Sequence, residues 1–228
     1  MKPLNEFPGI GLDYDAKRDP FYEAMILENL RSLKSKPVGK LLLTAIGAAK
    51  PSYRGSCPQG INVLISPPTD KQMVAPGLQM SRDFSTGATT VKIRDNQAFL
   101  DWDNRVQGGM VAGGLAKTLG EPWEGTGPSK DAAYETNAGK ASTGTVCRLK
   151  YSNIEILSKQ GTWLHPHITM GHELIHCLHF LHGIGKHNIK QEEYQTVGIK
   201  GYEDSPITEN KLRQEHKFGL RKKYFADD

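Results

Sequence analysis

The chain has 228 residues, 37% of them hydrophobic, and 29 Lys and Arg against 25 Asp and Glu, a formal charge of +4. That length supports one sizeable core, or at most two small ones. No window approaches the roughly 18 consecutive apolar residues of a membrane span, and the N-terminus lacks the apolar stretch of a classical signal peptide.

Basic residues are dispersed apart from the run between Lys217 and Lys223, which argues against a nucleic-acid-binding surface. Cys57, Cys147 and Cys177 are widely spaced. They read as reduced thiols of a cytosolic compartment, not as a disulfide framework.

Residues 1–18, rich in Gly, Pro and Asp, read as a loosely ordered N-terminal segment and a candidate secretion signal. The domain is expected over 19–228. Asp19-Pro20 marks a helix start, and Tyr22, Ile26, Leu30 and Leu33 follow at helical spacing until Pro37. A second helix is predicted from Lys40 to Ala49, with Leu42 and Ile46 on one face. INVLI (61–65), between Gly60 and Ser66-Pro67-Pro68, reads as a strand.

TTVKIR (89–94) alternates apolar Val91 and Ile93 with charged Lys92 and Arg94, as a half-exposed strand does. It is a candidate edge for an extended peptide to pair with. The region 108–144 contains nine glycines and few large apolar groups, and reads as a long surface loop. VCRLKYSNIEIL (146–157) is predicted to be strand again. Together these elements indicate one α+β domain, with the chemistry in its C-terminal third.

That chemistry starts in MGHELIHCLHFLHGIG, 170–185. The spacing predicts a helix over 166–182, with Pro166 in its first turn and Gly183 as its stop. Met170, Leu174, Leu178 and Leu181 fall on one face and would pack on the core. His172 and His176, four apart, project together from another face. Two imidazoles one turn apart can share a Zn²⁺ at about 2.0–2.1 Å. Glu173, about 100° round the helix, can serve as general base without ligating. This is the HExxH arrangement.

A catalytic zinc needs a third protein ligand and an open position. His182 completes a pattern close to HExxHxxGxxH, but His179 stands where that pattern needs Gly, and no Met follows Met170. His179 and His182 therefore read as surface histidines. Asp204 has nothing around it in support. EEYQTVG (192–198) offers Glu192 and Glu193. His165 and His167, which flank Pro166, read as solvated, and Cys177 as a core thiol.

HELIH followed by E-E-x-x-T and an apolar residue before Gly resembles the catalytic core of the clostridial neurotoxin light chains, HELIH…EELRTFG. The resemblance implies a single zincin-like, gluzincin-type metalloprotease domain with one Zn²⁺ per chain, and Glu193 as third ligand beside His172 and His176. The two glutamates could also exchange roles. It further assigns Glu209 to support the ligands from behind, and Arg221 and Tyr224 of Arg221-Lys222-Lys223-Tyr224 to the developing oxyanion. These two are expected one helical turn apart. Glu209 and Arg213, four apart, could instead form a plain surface ion pair.

Chain length, HELIH, EExxTVG, TENxLR and a terminal RxxY are similar to the NleD-type type III secreted effector zinc metalloproteases. The resemblance is dense from about residue 160 to 224. It implies delivery by a bacterial type III system into the host cell cytoplasm and cleavage of host mitogen-activated protein kinases in the activation loop. Two alternatives remain open: a zinc endopeptidase acting on another host protein, such as a membrane-fusion protein, and an inactive zinc-stabilised binding module.

Overall fold

The computed structural model describes residues 1–17, 19–67, 78–82, 89–93, 119–122, 128–151, 156–157 and 163–224. Among these, the strands are β1 (Lys2–Pro3), β2 (Gly9–Leu12), β3 (Ile61–Ser66), β4 (Leu78–Arg82), β5 (Thr89–Ile93), β6 (Leu119–Pro122), β7 (Cys147–Lys150), β8 (Ile156–Leu157) and β9 (Trp163–Leu164). The helices are α1 (Tyr22–Lys34), α2 (Pro37–Ala48), α3 (Pro128–Ala133), α4 (Pro166–Leu181), α5 (Ile189–Val197) and α6 (Glu209–Glu215).

A five-stranded mixed sheet runs in the order β1-β2-β3-β7-β6. Its centre is parallel: β2 pairs with β3 and β3 with β7, while β1 and β6 are antiparallel to their neighbours. Joining parallel strands needs a crossover. Between β2 and β3 that crossover is the α1–α2 pair. The main core combines Ile10 and Leu12 of β2, Val63 and Ile65 of β3 and Leu149 of β7 with the apolar faces of α1, α2 and α4. A smaller cluster of Cys57, Ile61, Leu64 and Val146 lies apart from it. The Asn62 side chain ties β3 to α2, donating to Ile46 O at 2.8 Å and Ala49 O at 2.9 Å. Those carbonyls belong to the last turn and cap of α2, where intrahelical donors run short.

Several expectations need correction. Residues 1–18 were expected to be loosely ordered, yet Gly9–Leu12 is a fully buried strand inside the sheet. A strand covered on both faces carries no polar–apolar alternation, and GIGL therefore reads as a turn. Within 108–144, residues 119–122 form a strand and 128–133 a helix whose Ala132 and Ala133 are buried. Small residues make this helix look like loop, while they let it pack closely; 108–118 and 123–127 lie outside the described residues. Thr89–Ile93 is a strand, but it pairs with β4 in a separate two-stranded sheet. The main sheet has two antiparallel edge strands, β1 and β6, and β6 packs beside α4. Of 146–157, residues 147–150 and 156–157 are strand, and 152–155 lie outside the described residues.

Candidate metal centre

Three helices build the site. In α4, Pro166 occupies the first turn, where its missing N–H has no partner to lose. The helix ends at Leu181, and Gly183 at φ 65° takes the left-handed turn that follows. Met170, Leu174, Leu178 and Leu181 lie in the core. Gly171, just before His172, lets α4 approach its neighbours: a Cβ there would stand 2.6 Å from Leu212 Cδ1 of α6 and 3.1 Å from Leu33 Cδ2 of α1.

Helix α5 opens at Asn188, whose side chain accepts from Gln191 N at 3.2 Å, and closes at Gly198 with φ 82°. A Cβ on Gly198 would fall 2.7 Å from the Thr208 side chain. Thr208 is in turn the cap of α6, accepting from Lys211 N at 3.2 Å. These small and capping residues bring α5 and α6 onto the His172–His176 face of α4.

Three ligand-type atoms converge there. His172 Nε2 and His176 Nε2 are 3.1 Å apart. Glu193 Oε2 lies 3.2 Å from the first and 3.4 Å from the second. Ligand atoms of a tetrahedral zinc with bonds of about 2.0–2.1 Å stand roughly 3.3 Å from each other. The triangle therefore has the size of one face of such a site.

The far side of each ring fixes its tautomer. His172 Nδ1 donates to Glu209 Oε2 at 2.8 Å, and His176 Nδ1 to Glu192 Oε1 at 2.8 Å. Both Nε2 lone pairs are thereby turned towards Glu193. Glu193 Oε2 is buried and makes no hydrogen bond among the described residues. Two nitrogen lone pairs and an orphaned carboxylate oxygen facing one another fit a divalent cation, and the donor set suits zinc.

The electrostatics agree. Burial works against charge on His172, but the carboxylates of Glu193 and Glu209 outweigh it and hold the imidazole up at about 9. Burial likewise opposes the charge on Glu193, and the imidazoles of His176 and His172 more than offset this, keeping it well below the usual carboxylate range. A field that favours a proton here also favours a cation.

Glu209 is 1% exposed and gathers three partners. Besides His172, its Oε2 accepts from Arg221 Nη1 at 3.1 Å, and its Oε1 from Arg213 Nε at 2.5 Å. Arg213 is also 1% exposed, so its pair with Glu209 is buried and not the plain surface pair that the spacing also allowed. The segment after α6 is not helical, so Arg221 and Tyr224 are not one helical turn apart as expected. They meet by stacking instead. The Arg221 guanidinium carbon lies 4.4 Å from the Tyr224 ring centroid. Tyr224 in turn lies parallel to the His172 ring, with centroids 5.9 Å apart. Burial pushes the Tyr224 hydroxyl well above its ordinary range, so it remains a donor at neutral pH. Glu173 follows His172 in the chain and is 8% exposed.

Four further features were missed or left open by the sequence. Asn210 exchanges two 2.8 Å bonds with the Arg221 backbone, Nδ2 to O and N to Oδ1, and so pins the segment carrying Arg221. The TEN motif contains Asn210, but no spacing marks it. His179, expected at the surface, is buried and donates from Nδ1 to Glu192 Oε1 at 2.8 Å. Its place three residues after His176, one helical turn along the same face, was the available signal. Glu192 stands behind the rings, while Glu193 faces them. Thr196 Oγ1 lies 3.1 Å from His176 Nδ1. His182 is exposed, as expected.

No helix among the described residues is long and apolar enough to cross a membrane. A comparison with curated proteins returns no match. A family model described as effector protein, peptidase M91, matches residues 10–224, which takes in β3, β6 and β7 of the sheet and all three helices of the site. By that match the chain belongs to the peptidase M91 family of effector proteins.

Proposed function

We propose that this effector peptidase is an NleD-type zinc endopeptidase with a zincin-like, gluzincin-type domain. His172, His176 and Glu193 hold one zinc ion. The observation that carries the reading is the triangle of His172 Nε2, His176 Nε2 and Glu193 Oε2, with edges of 3.1, 3.2 and 3.4 Å.

Zinc bound there supplies Lewis acidity, which brings the pKa of a coordinated water towards ~7 and polarises a peptide carbonyl. Glu173 accepts the proton of the attacking water and passes it to the leaving amine as the C–N bond breaks. Arg221 and Tyr224 donate to the developing oxyanion, where one such donor is typically worth ~3–4 kcal/mol. Glu209 keeps His172 turned the right way and holds Arg221 beside it. An extended substrate pairs its backbone with β6, the edge strand beside α4.

Membership of an effector family supports a host protein as substrate and delivery into the host cell. On the resemblance of HELIH, EExxTVG and RxxY, the substrate is a mitogen-activated protein kinase cut in its activation loop after type III secretion. The test is mass spectrometry of host extract incubated with the protein, with and without chelator, beside Glu173→Ala. New kinase fragments only with active, metal-loaded protein are expected. Fragments from another protein would reassign the substrate, and a biological effect undiminished in Glu173→Ala would favour a binding module.

A further inference from the structure

We propose that His179 is a positioning residue for this metal centre: it anchors Glu192, which in turn orients His176. The proposal rests on the reading of His172, His176 and Glu193 as the metal-holding triad.

Glu192 Oε1 accepts from two rings at once, His176 Nδ1 and His179 Nδ1, each at 2.8 Å. Its Oε2 accepts from the Lys186 backbone N–H at 2.7 Å. The carboxylate thus spans α4, the turn after it and the start of α5. Both Glu192 and His179 are 6% exposed, so solvent replaces none of these bonds cheaply. On the other edge of the His179 ring, Gln195 Nε2 lies 3.5 Å from His179 Nε2. The Glu192 carboxylate 2.8 Å from Nδ1 can only accept, so the ring proton sits on Nδ1, and the Gln195 amide on the other edge is compatible with that.

The chain of contacts then runs in one direction. The Glu192 carboxylate, an acceptor only, keeps the His179 proton on Nδ1, so His179 holds one lone pair of Glu192 Oε1, and the other lone pair holds the His176 proton. His176 Nε2 is left pointing at the triangle. Without the His179 donor, Oε1 keeps only His176 while Oε2 stays on the Lys186 N–H, so the carboxylate holds the His176 ring less firmly.

The same three side chains, His176, His179 and Glu192, could instead hold a second cation. The geometry favours hydrogen bonds. Nitrogen–oxygen separations of 2.8 Å are direct charge-assisted bonds. Two ligands of one tetrahedral zinc stand farther apart, roughly 3.3 Å. A second cation would also require His176 to lose its Nδ1 proton.

The test compares His179→Asn with His179→Gln in the full chain, metal-loaded. Asn carries its amide nitrogen on Cγ, where Nδ1 sits, and can still donate to Glu192. Gln matches histidine better in length but moves the nitrogen to the Nε2 position. Zinc affinity is read by chelator competition, and ligand geometry from the visible spectrum of the cobalt(II)-substituted protein. His179→Gln should weaken zinc by about tenfold and alter the cobalt spectrum, whereas His179→Asn stays within about threefold of wild type. A packing role would reverse that order, since Gln fills the site better.

Equal zinc affinity and spectra in wild type and His179→Gln would overturn the proposal. So would two zinc ions per wild-type chain with one lost in His179→Gln, because that result assigns these residues to a second cation. Wild-type protein that takes up no zinc would remove the triad itself, an outcome distinct from either.

Discussion

Glu209 Oε2 stands 2.8 Å from His172 Nδ1, and the same carboxylate holds Arg213 and Arg221. One buried glutamate therefore links the His172 ring to the arginine that leads into Tyr224. Replacing it by alanine leaves two arginines without their shared anion and His172 without its orienting acceptor. Glu209→Ala should bind zinc ~10–100-fold more weakly and lose about 3–5 kcal/mol of stability. Denaturant unfolding of the zinc-free protein separates the two effects. Unchanged zinc affinity would show that His172 is oriented by something else.

Glu173→Ala should keep its zinc and lose cleavage. General acid–base catalysis by one side chain is worth about 10²–10⁴-fold, so turnover should fall at least that far while metal content and thermal midpoint hold. Loss of zinc from this variant would place Glu173 among the ligands.

Tyr224→Phe retains the ring beside His172 and under the Arg221 guanidinium, and removes only the hydroxyl. Turnover should drop by about 10²-fold, as for the loss of one oxyanion donor, with zinc affinity unaltered. Arg221→Lys should be more disruptive, since a lysine ammonium cannot both pair with Glu209 and lie flat on the tyrosine. Normal turnover in Tyr224→Phe would confine Tyr224 to packing.

Acid should weaken the fold around His167, away from the His172 and His176 rings. His167 sits near His165, with ring centroids 6.3 Å apart, and His216, with centroids 4.6 Å apart. Burial, with the charges of those two rings, holds its imidazole down at about 4. The unfolded chain, at an ordinary 6.5, then binds more protons than the folded one between those values. Stability from neutral His167 is thus complete above about pH 6.5 and is lost as pH falls towards 4. The effect is on the order of 1 kcal/mol after allowance for solvent screening. His167→Phe should flatten this part of the pH profile of the melting temperature relative to wild type. An identical slope in both proteins would exclude the residue as a source.

The α4 helix is legible in the sequence because its signals are local: a 3.6-residue apolar repeat, Pro166 at one end and Gly183 at the other. Glu193 is legible through its resemblance, and its neighbour Glu192 needs structure to be told apart from it. Adjacent residues on a helix point about 100° apart, and which of them faces α4 depends on how α5 docks. His179 reads as surface because it stands where HExxHxxGxxH needs Gly, which leaves it no ligand role; the carboxylate that makes its burial tolerable comes from a different helix. Gly9–Leu12 reads as loop for the converse reason, since its place in the sheet depends on β3, some fifty residues on. In each case the missing information is a partner distant in sequence.

The central claim is that two imidazoles and the Glu193 carboxylate share one divalent ion. Zinc content measured after reconstitution and exhaustive dialysis, on wild type and Glu193→Ala side by side, tests it most directly. The account predicts one zinc per wild-type chain and a large loss in Glu193→Ala, with both proteins folded. Equal zinc in the two, or none retained by the wild type, would contradict it.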